Sequence, residues 1–322
     1  MIKINIENKK NKIKKYHKID FGRKQGYKKI KDKLDNLKGY TNFYNWFQNS
    51  KGVLDEKKIE KLICTDSKLK IIELINQFEP LIYKDAGSNL LLVKKVKEEI
   101  QKEFENLFKN FSKRKWAYNF LEEIDAKVCP YCNRSYTFTV VNRQKPELDH
   151  YFPKSQYPYL AISIFNIVPC CSGCNKGKSD NYVDVINQPI CYPYEESFDD
   201  KIVFETDFDE LDAWFDENKK LSIILSGDAA YTDIIKAYNE AFKIDYLYTQ
   251  HNDYAREIIK KSIIFNDDFF ESIYCSFPEA FSSSDEVKQM IYSNYLELDE
   301  VGKRPLSKLT QDLLKEYNVK FV

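Results

Sequence analysis

The sequence predicts an α+β protein, mostly helical, with a small β-containing centre. Three observations carry that prediction. Apolar residues recur at helical spacing through the first third of the chain, the period shortens to two residues past Cys129, and helical spacing returns after Ala229.

The clearest helix starts near Ser88, a candidate N-cap, and carries Val93, Val96, Ile100, Phe104, Leu107 and Phe111 along one stripe. Residues 55–81 read as one or two further helices. Beyond Cys129, Tyr136, Phe138 and Val140 alternate with Thr137, Thr139 and Val141, which predicts a strand. Residues 142–146 read as a turn, and 147–152 as a second short strand closed by Pro153. Residues 160–164 fit either state, and 166–169 read as extended. A helix is expected from around Ser172 past Lys178. Downstream, 202–205 and 221–225 predict strands of a small meander, and 229–242, 246–265 and 307–317 predict helices. These shifts divide the chain into a helical region at 1–126, a compact module at 127–190, and a C-terminal region at 191–322.

Hydrophobic residues make up 43% of the 322, enough to fill real cores, so global disorder is a poor reading. No apolar run approaches the ~18–20 residues that span a bilayer, and the polar, basic first residues lack the apolar stretch of a signal peptide. A cytoplasmic protein is the expectation. The net charge is zero but unevenly placed. Residues 1–40 hold fourteen Lys and Arg against four acids, and residues 195–217 hold eleven acids against Lys201. A basic arm of that kind can hold phosphates or form a solvated face. The acidic stretch argues against nucleic acid on its own surface.

Five of the eight cysteines fall between 129 and 174. In a chain expected inside the cell, such a cluster points to metal rather than disulfides. Cys129–Cys132 and Cys171–Cys174 are two CxxC hooks, a thiolate set suited to tetrahedral zinc. Cys170 competes with Cys171, which is preferred because it completes the second hook. With all four positions filled by protein, the site is structural, and the 38 residues between hooks leave room for a folded insertion.

That insertion contains Asp149 and His150, a hard-metal ligand beside a possible general base. The carboxylate suits Mg²⁺ or Mn²⁺, and an imidazole can take a proton from water. Adjacent strand residues point to opposite faces, so the two can serve one site only if the chain twists there. His17 and His251 have no comparable neighbours and read as structural or exposed. Asn175 offers a neutral oxygen ligand, and Lys178, three residues on, shares its helix face and could meet a phosphate.

Taken together, CPYC, LDHYFPKSQYP and NIVPCCSGCNKGKSDN resemble the HNH endonuclease family over about a sixth of the chain. The resemblance implies a ββα-metal finger stapled by a four-cysteine zinc knuckle. It makes Asp149 and Asn175 the ligands of a catalytic Mg²⁺ or Mn²⁺, His150 the base, and Asn166 a brace. The substrate implied is nucleic acid, DNA before RNA. Within the family the phrasing is similar to HNH proteins of bacterial anti-phage defence that work with an ATPase partner. A stand-alone restriction-type endonuclease is the rival enzyme reading. A zinc-knuckle binding or scaffold protein without catalysis is the other alternative.

Overall fold

The computed structural model describes residues 1–22, 24–113, 115–179 and 190–317. Seven helices come first: α1 (Lys10–Gly22), α2 (Lys24–Asp35), α3 (Thr41–Trp46), α4 (Glu56–Cys64), α5 (Lys68–Asp85), α6 (Leu90–Ser112) and α7 (Lys115–Ile124). The centre holds β1 (Glu147–His150), β2 (Ile167–Cys170) and α8 (Ser172–Lys178). Then follow β3 (Ile202–Phe208), β4 (Leu221–Gly227), α9 (Thr232–Phe242), α10 (Ile244–Thr249), α11 (Asn252–Ile264), α12 (Asp267–Ser276), α13 (Ser284–Tyr292) and α14 (Ser307–Glu316). Among the described residues the chain is therefore α+β and mostly helical, with two small antiparallel sheets. Its buried apolar residues form one continuous cluster from Met1 to Leu314. Among the described residues, no helix is long and apolar enough to cross a membrane.

The helical stripe of α6 buries Val93, Val96, Ile100, Phe104 and Leu107, and the helix packs on α5 and on the turn at Pro158–Ile162. Its cap is not Ser88. Asn89 accepts from the Leu91 and Leu92 amides, while Ser88 takes a left-handed φ of 60° and closes the end of α5 by donating its amide to Tyr83 O. The stretch expected as one helix over 246–265 is broken at Gln250–His251 into α10 and α11.

The basic opening region also differs from a free arm. Met1, Ile2, Ile4 and Ile6 are buried, and the Ile2 and Ile4 amides donate to Pro130 O and Pro193 O. Much of the charge that follows is matched internally: Lys12 pairs with Glu123, Lys14 with Asp66, Lys18 with Glu60 and Lys33 with Glu103. Those lysines are engaged by acids elsewhere in the chain rather than left for an external phosphate.

The expected strand over 136–141 is absent. Its residues make only isolated bridges, Val128 with Tyr136 and Val140 with Gln144. The strands that do form are β1 and β2, paired antiparallel with Asp149 opposite Val168 and His150 opposite Ile167. α8 follows directly and packs on β1 and on α9. The α9 contact is close enough to require Gly177, since a Cβ there would lie 2.5 Å from Ala241 O.

Candidate functional site

Each cysteine hook is a tight turn built by the backbone. In the first, the Cys129 amide donates to Ser135 O and the Asn133 amide to Cys129 O, with Asn133 at a positive φ of 49°. In the second, Cys171 caps α8, its sulfur accepting from the Cys174 amide at 3.4 Å. The sulfurs of Cys129, Cys132, Cys171 and Cys174 lie within 4.8 Å of one another, and Cys132 and Cys171 are 3.9 Å apart. Tetrahedral Zn–S bonds of ~2.3 Å place sulfurs ~3.8 Å apart, so the set fits zinc or a similar ion. Burial pushes the Cys129 thiol up, and the crowding of Cys129, Cys132 and Cys171 pushes Cys174 up. Cys129, Cys132 and Cys174 in turn favour the Cys171 thiolate. Cys170 is not part of the set. It is buried at the end of β2, opposite Glu147.

The first hook is tied to distant parts of the chain. Asn133 is fully buried; its side chain donates to Val301 O and accepts from the Lys308 amide. The Leu306 amide reaches Asn133 O, and Tyr248 donates to Cys132 O at 2.6 Å.

Asp149 and His150 lie at the end of β1, and both border an open cavity of about 330 Å³. Glu147, Leu148, Phe108, Pro153, Lys154, Asn175 and Ser179 line the rest. The cavity thus brings together three residues singled out in the sequence, Asp149, His150 and Asn175. Asn166 and Lys178 stand behind it. Asn166 is fully buried; it accepts from the Phe152 amide at 2.8 Å and donates to Phe152 O and Leu160 O. It joins the end of β1 to the start of β2. Lys178 is turned inward, 3.0 Å from Asp149 Oδ2 and 2.7 Å from His150 O, with its side chain 1% exposed. It neutralises the aspartate rather than facing the cavity.

Three consecutive carbonyls fix the turn beneath His150. Leu160 O accepts from Asn166, Ala161 O from His150 Nε2 at 3.0 Å, and Ile162 O from His17 Nε2 at 3.0 Å. A carbonyl only accepts, so Nε2 of His150 carries the proton and Nδ1 is the acceptor nitrogen. The ring also meets Phe108 edge-on at 4.5 Å. Burial pushes the imidazole down to about 4, which keeps it neutral near pH 7.

Two further contributors escaped the sequence reading. Tyr131, between the first pair of cysteines, is fully buried and donates to Asp149 Oδ2 at 2.7 Å. Its phenol stays protonated because burial, and then Asp149, push it up. The sulfur hook therefore also positions the carboxylate. Glu147 lies two residues before Asp149 on β1, on the same face of the strand. That spacing was the available signal. Among the described residues only the cysteine quartet gathers three or more His, Cys, Asp or Glu groups closely enough to hold an ion by themselves. Compared with protein-family models, with curated proteins and with solved structures, the chain has no match in any of the three. Asp180 and Asn181, the last letters of the third motif, lie outside the described residues.

Proposed function

We propose that this cavity is the active site of a metal-dependent endonuclease of the HNH kind, hydrolysing phosphodiester bonds of nucleic acid. One observation carries the reading: Asp149, His150 and Asn175 border one open cavity, with His150 Nε2 committed to Ala161 so that only Nδ1 is left to accept a proton. Tyr131 and Lys178 draw on part of the roughly four lone-pair directions of the Asp149 carboxylate. The remainder, with the Asn175 side-chain oxygen, suits Mg²⁺ or Mn²⁺, ions that keep several waters and need few protein ligands. When bound, such an ion supplies a Lewis acid at the phosphate. The chain's own work is to hold and move a proton. His150 Nδ1 takes it from the attacking water, Ala161 O and Phe108 fix the ring, Asn166 holds the strand end, and Lys178 holds the Asp149 carboxylate in place. Zinc on Cys129, Cys132, Cys171 and Cys174 holds the β1–β2–α8 unit together. The finer reading is an effector of bacterial anti-phage defence acting with an ATPase partner, and it rests on the motif wording alone.

A second reading is favoured by one specific contact. Lys178 already neutralises Asp149, as befits a zinc-pinned binding module whose aspartate is structural. One experiment separates the two. Plasmid, single-stranded DNA and RNA are incubated with the full chain, with and without Mg²⁺ or Mn²⁺, comparing wild type with His150→Gln. Glutamine keeps an N–H donor for Ala161 O and removes the basic nitrogen. Cleavage that needs the ion and falls about 10²–10⁴-fold in the variant supports the nuclease. Ion-dependent cleavage by the variant at the wild-type rate overturns His150 as the base, and no ion-dependent cleavage by either protein favours the binding module.

A further inference from the structure

The segment between the first cysteine hook and β1 is built inside out. Alternation along a half-buried strand normally turns apolar residues to the core and polar ones to water. Here Thr137 points inward, 4% exposed, its hydroxyl donating to Ala126 O at 2.6 Å and its amide to Lys127 O. Tyr136, Phe138 and Val140 point outward, at 49%, 47% and 47% exposure. The Tyr136 and Phe138 rings stack on each other at 4.4 Å with 20° between their planes. Anchoring Thr137 between them holds both rings at the surface.

The charge within this segment has one sign. Residues 127–146 contain Lys127, Arg134, Arg143 and Lys145 and no Asp or Glu. Lys127 has Asp125 at 3.9 Å, Arg134 donates to His251, and Lys145 to Ser112 O. Arg143, within the turn that the Val140–Gln144 bridge closes, and Lys145, just after it, are both exposed. The chain then runs straight into β1, whose residues Glu147 to His150 line the cavity.

We propose that Tyr136 and Phe138 are a stacking platform for unpaired bases of a single-stranded nucleic acid, with Arg143 and Lys145 on its backbone, leading the strand to the cavity. The proposal rests on the nuclease reading of that cavity and names its substrate as single-stranded. Flat rings beside cations are what base faces and phosphates together recognise, without regard to sequence. A duplex covers its base faces in its own stack and offers the rings nothing. A protein partner can also bury aromatic rings, but a segment of basic side chains without an acid matches a polyanion better.

Fluorescence anisotropy with a labelled oligothymidylate and with a matched duplex tests this, using the full chain without Mg²⁺ or Mn²⁺. Wild type should bind the single strand more tightly than the duplex. Tyr136→Leu and Phe138→Leu, which keep apolar bulk and lose the ring, should each weaken single-strand binding about 5- to 150-fold. The swap Tyr136→Phe with Phe138→Tyr should keep it. Arg143→Ala should reduce the salt dependence of binding. Zinc content and the melting temperature of each variant check folding. Leucine variants that bind as wild type, or a duplex bound as tightly as the single strand, overturn the platform; an apolar protein-docking face is then the remaining use of the patch. Ring-dependent binding without any ion-dependent cleavage overturns the hydrolytic reading alone. Cleavage with ring-independent binding overturns the platform alone.

Discussion

The cysteine quartet and the Asp149 cavity share one seven-residue helix and differ in almost everything else. α8 begins at its cap, Cys171, and gives Cys174 to the quartet, Asn175 to the cavity wall and Lys178 to Asp149. The quartet offers four soft sulfurs, three of them buried, and leaves no position open. The cavity is open and is bordered by Asp149, His150 and Asn175, residue types with hard oxygen and imidazole donors. A closed soft site suits an ion that holds structure; an open hard one suits an ion that meets a substrate. The contrast teaches that the two should fail differently. Loss of the soft ion should take the fold with it, and loss of the hard ion should take only what happens in the cavity.

The largest effect should therefore come from the sulfurs. The first hook is tied to Ile2, Tyr248, Val301, Leu306 and Lys308, so releasing it frees the chain's opening and closing segments together. Structural zinc contributes about 10–16 kcal/mol in small peptides, comparable with the ~5–15 kcal/mol that stabilises a whole domain. Cys132→Ser should abolish zinc retention and cooperative melting, read by elemental analysis and a thermal scan. A metal-free wild type that melts as high as the zinc-loaded protein would break the contrast at its strongest point.

Lys178 sharpens the contrast from the other side. Both partners of its pair with Asp149 are buried, and removing one partner of such a pair costs about 3–5 kcal/mol because the other charge is stranded. Lys178→Met should lower the melting temperature while retaining zinc. Added Mg²⁺ or Mn²⁺ should then stabilise the variant more than wild type, the ion taking up the role of counter-charge at Asp149. Equal, or no, stabilisation of the two proteins would mean that Asp149 is not an ion ligand.

How much of this was legible follows from distance along the chain. The two CxxC hooks are local patterns, and as a pair they predict one four-sulfur cluster, which is where the structure puts them. Asp149 and Asn175 are motif neighbours of the hooks, so their approach to one cavity follows from how the hooks close. Lys178 was placed on the correct helix, but its inward turn depends on β1 lying beside that helix, which no spacing rule states. Tyr131 was hidden for the same reason, since its partner is 18 residues away. The alternation at 136–140 was real and misleading. Period two fixes that the segment is extended with two faces, and it does not say which face goes inward; Thr137 decided that by bonding Ala126. The break between α10 and α11 has no Gly or Pro to announce it.

The smallest effect isolates what makes a histidine functional here. His17 and His150 hold adjacent carbonyls, Ile162 and Ala161, through the same ring nitrogen, and burial pushes both down, His17 to about 3 and His150 to about 4. Only His150 borders the cavity; His17 lies against Trp116, ring centres 5.2 Å apart. The unfolded chain binds a proton on each near the ordinary value of 6.5, and the folded chain does so only below the lowered values. Stability is thus unaffected by these groups above pH 6.5 and is lost as pH falls toward 3 for His17. One proton corresponds to about 1.4 kcal/mol per pH unit. His17→Gln keeps a donor for Ile162 O and cannot titrate, so it should remove one proton's worth of that slope between pH 6 and 4. It should leave activity in the cavity as it was. Denaturant melts across that range measure the slope, and an unchanged slope would show that His17 is not held neutral by the fold. A loss of cleavage in His17→Gln as deep as in His150→Gln would show that the shared turn, not His150 Nδ1, is what the proposed chemistry needs.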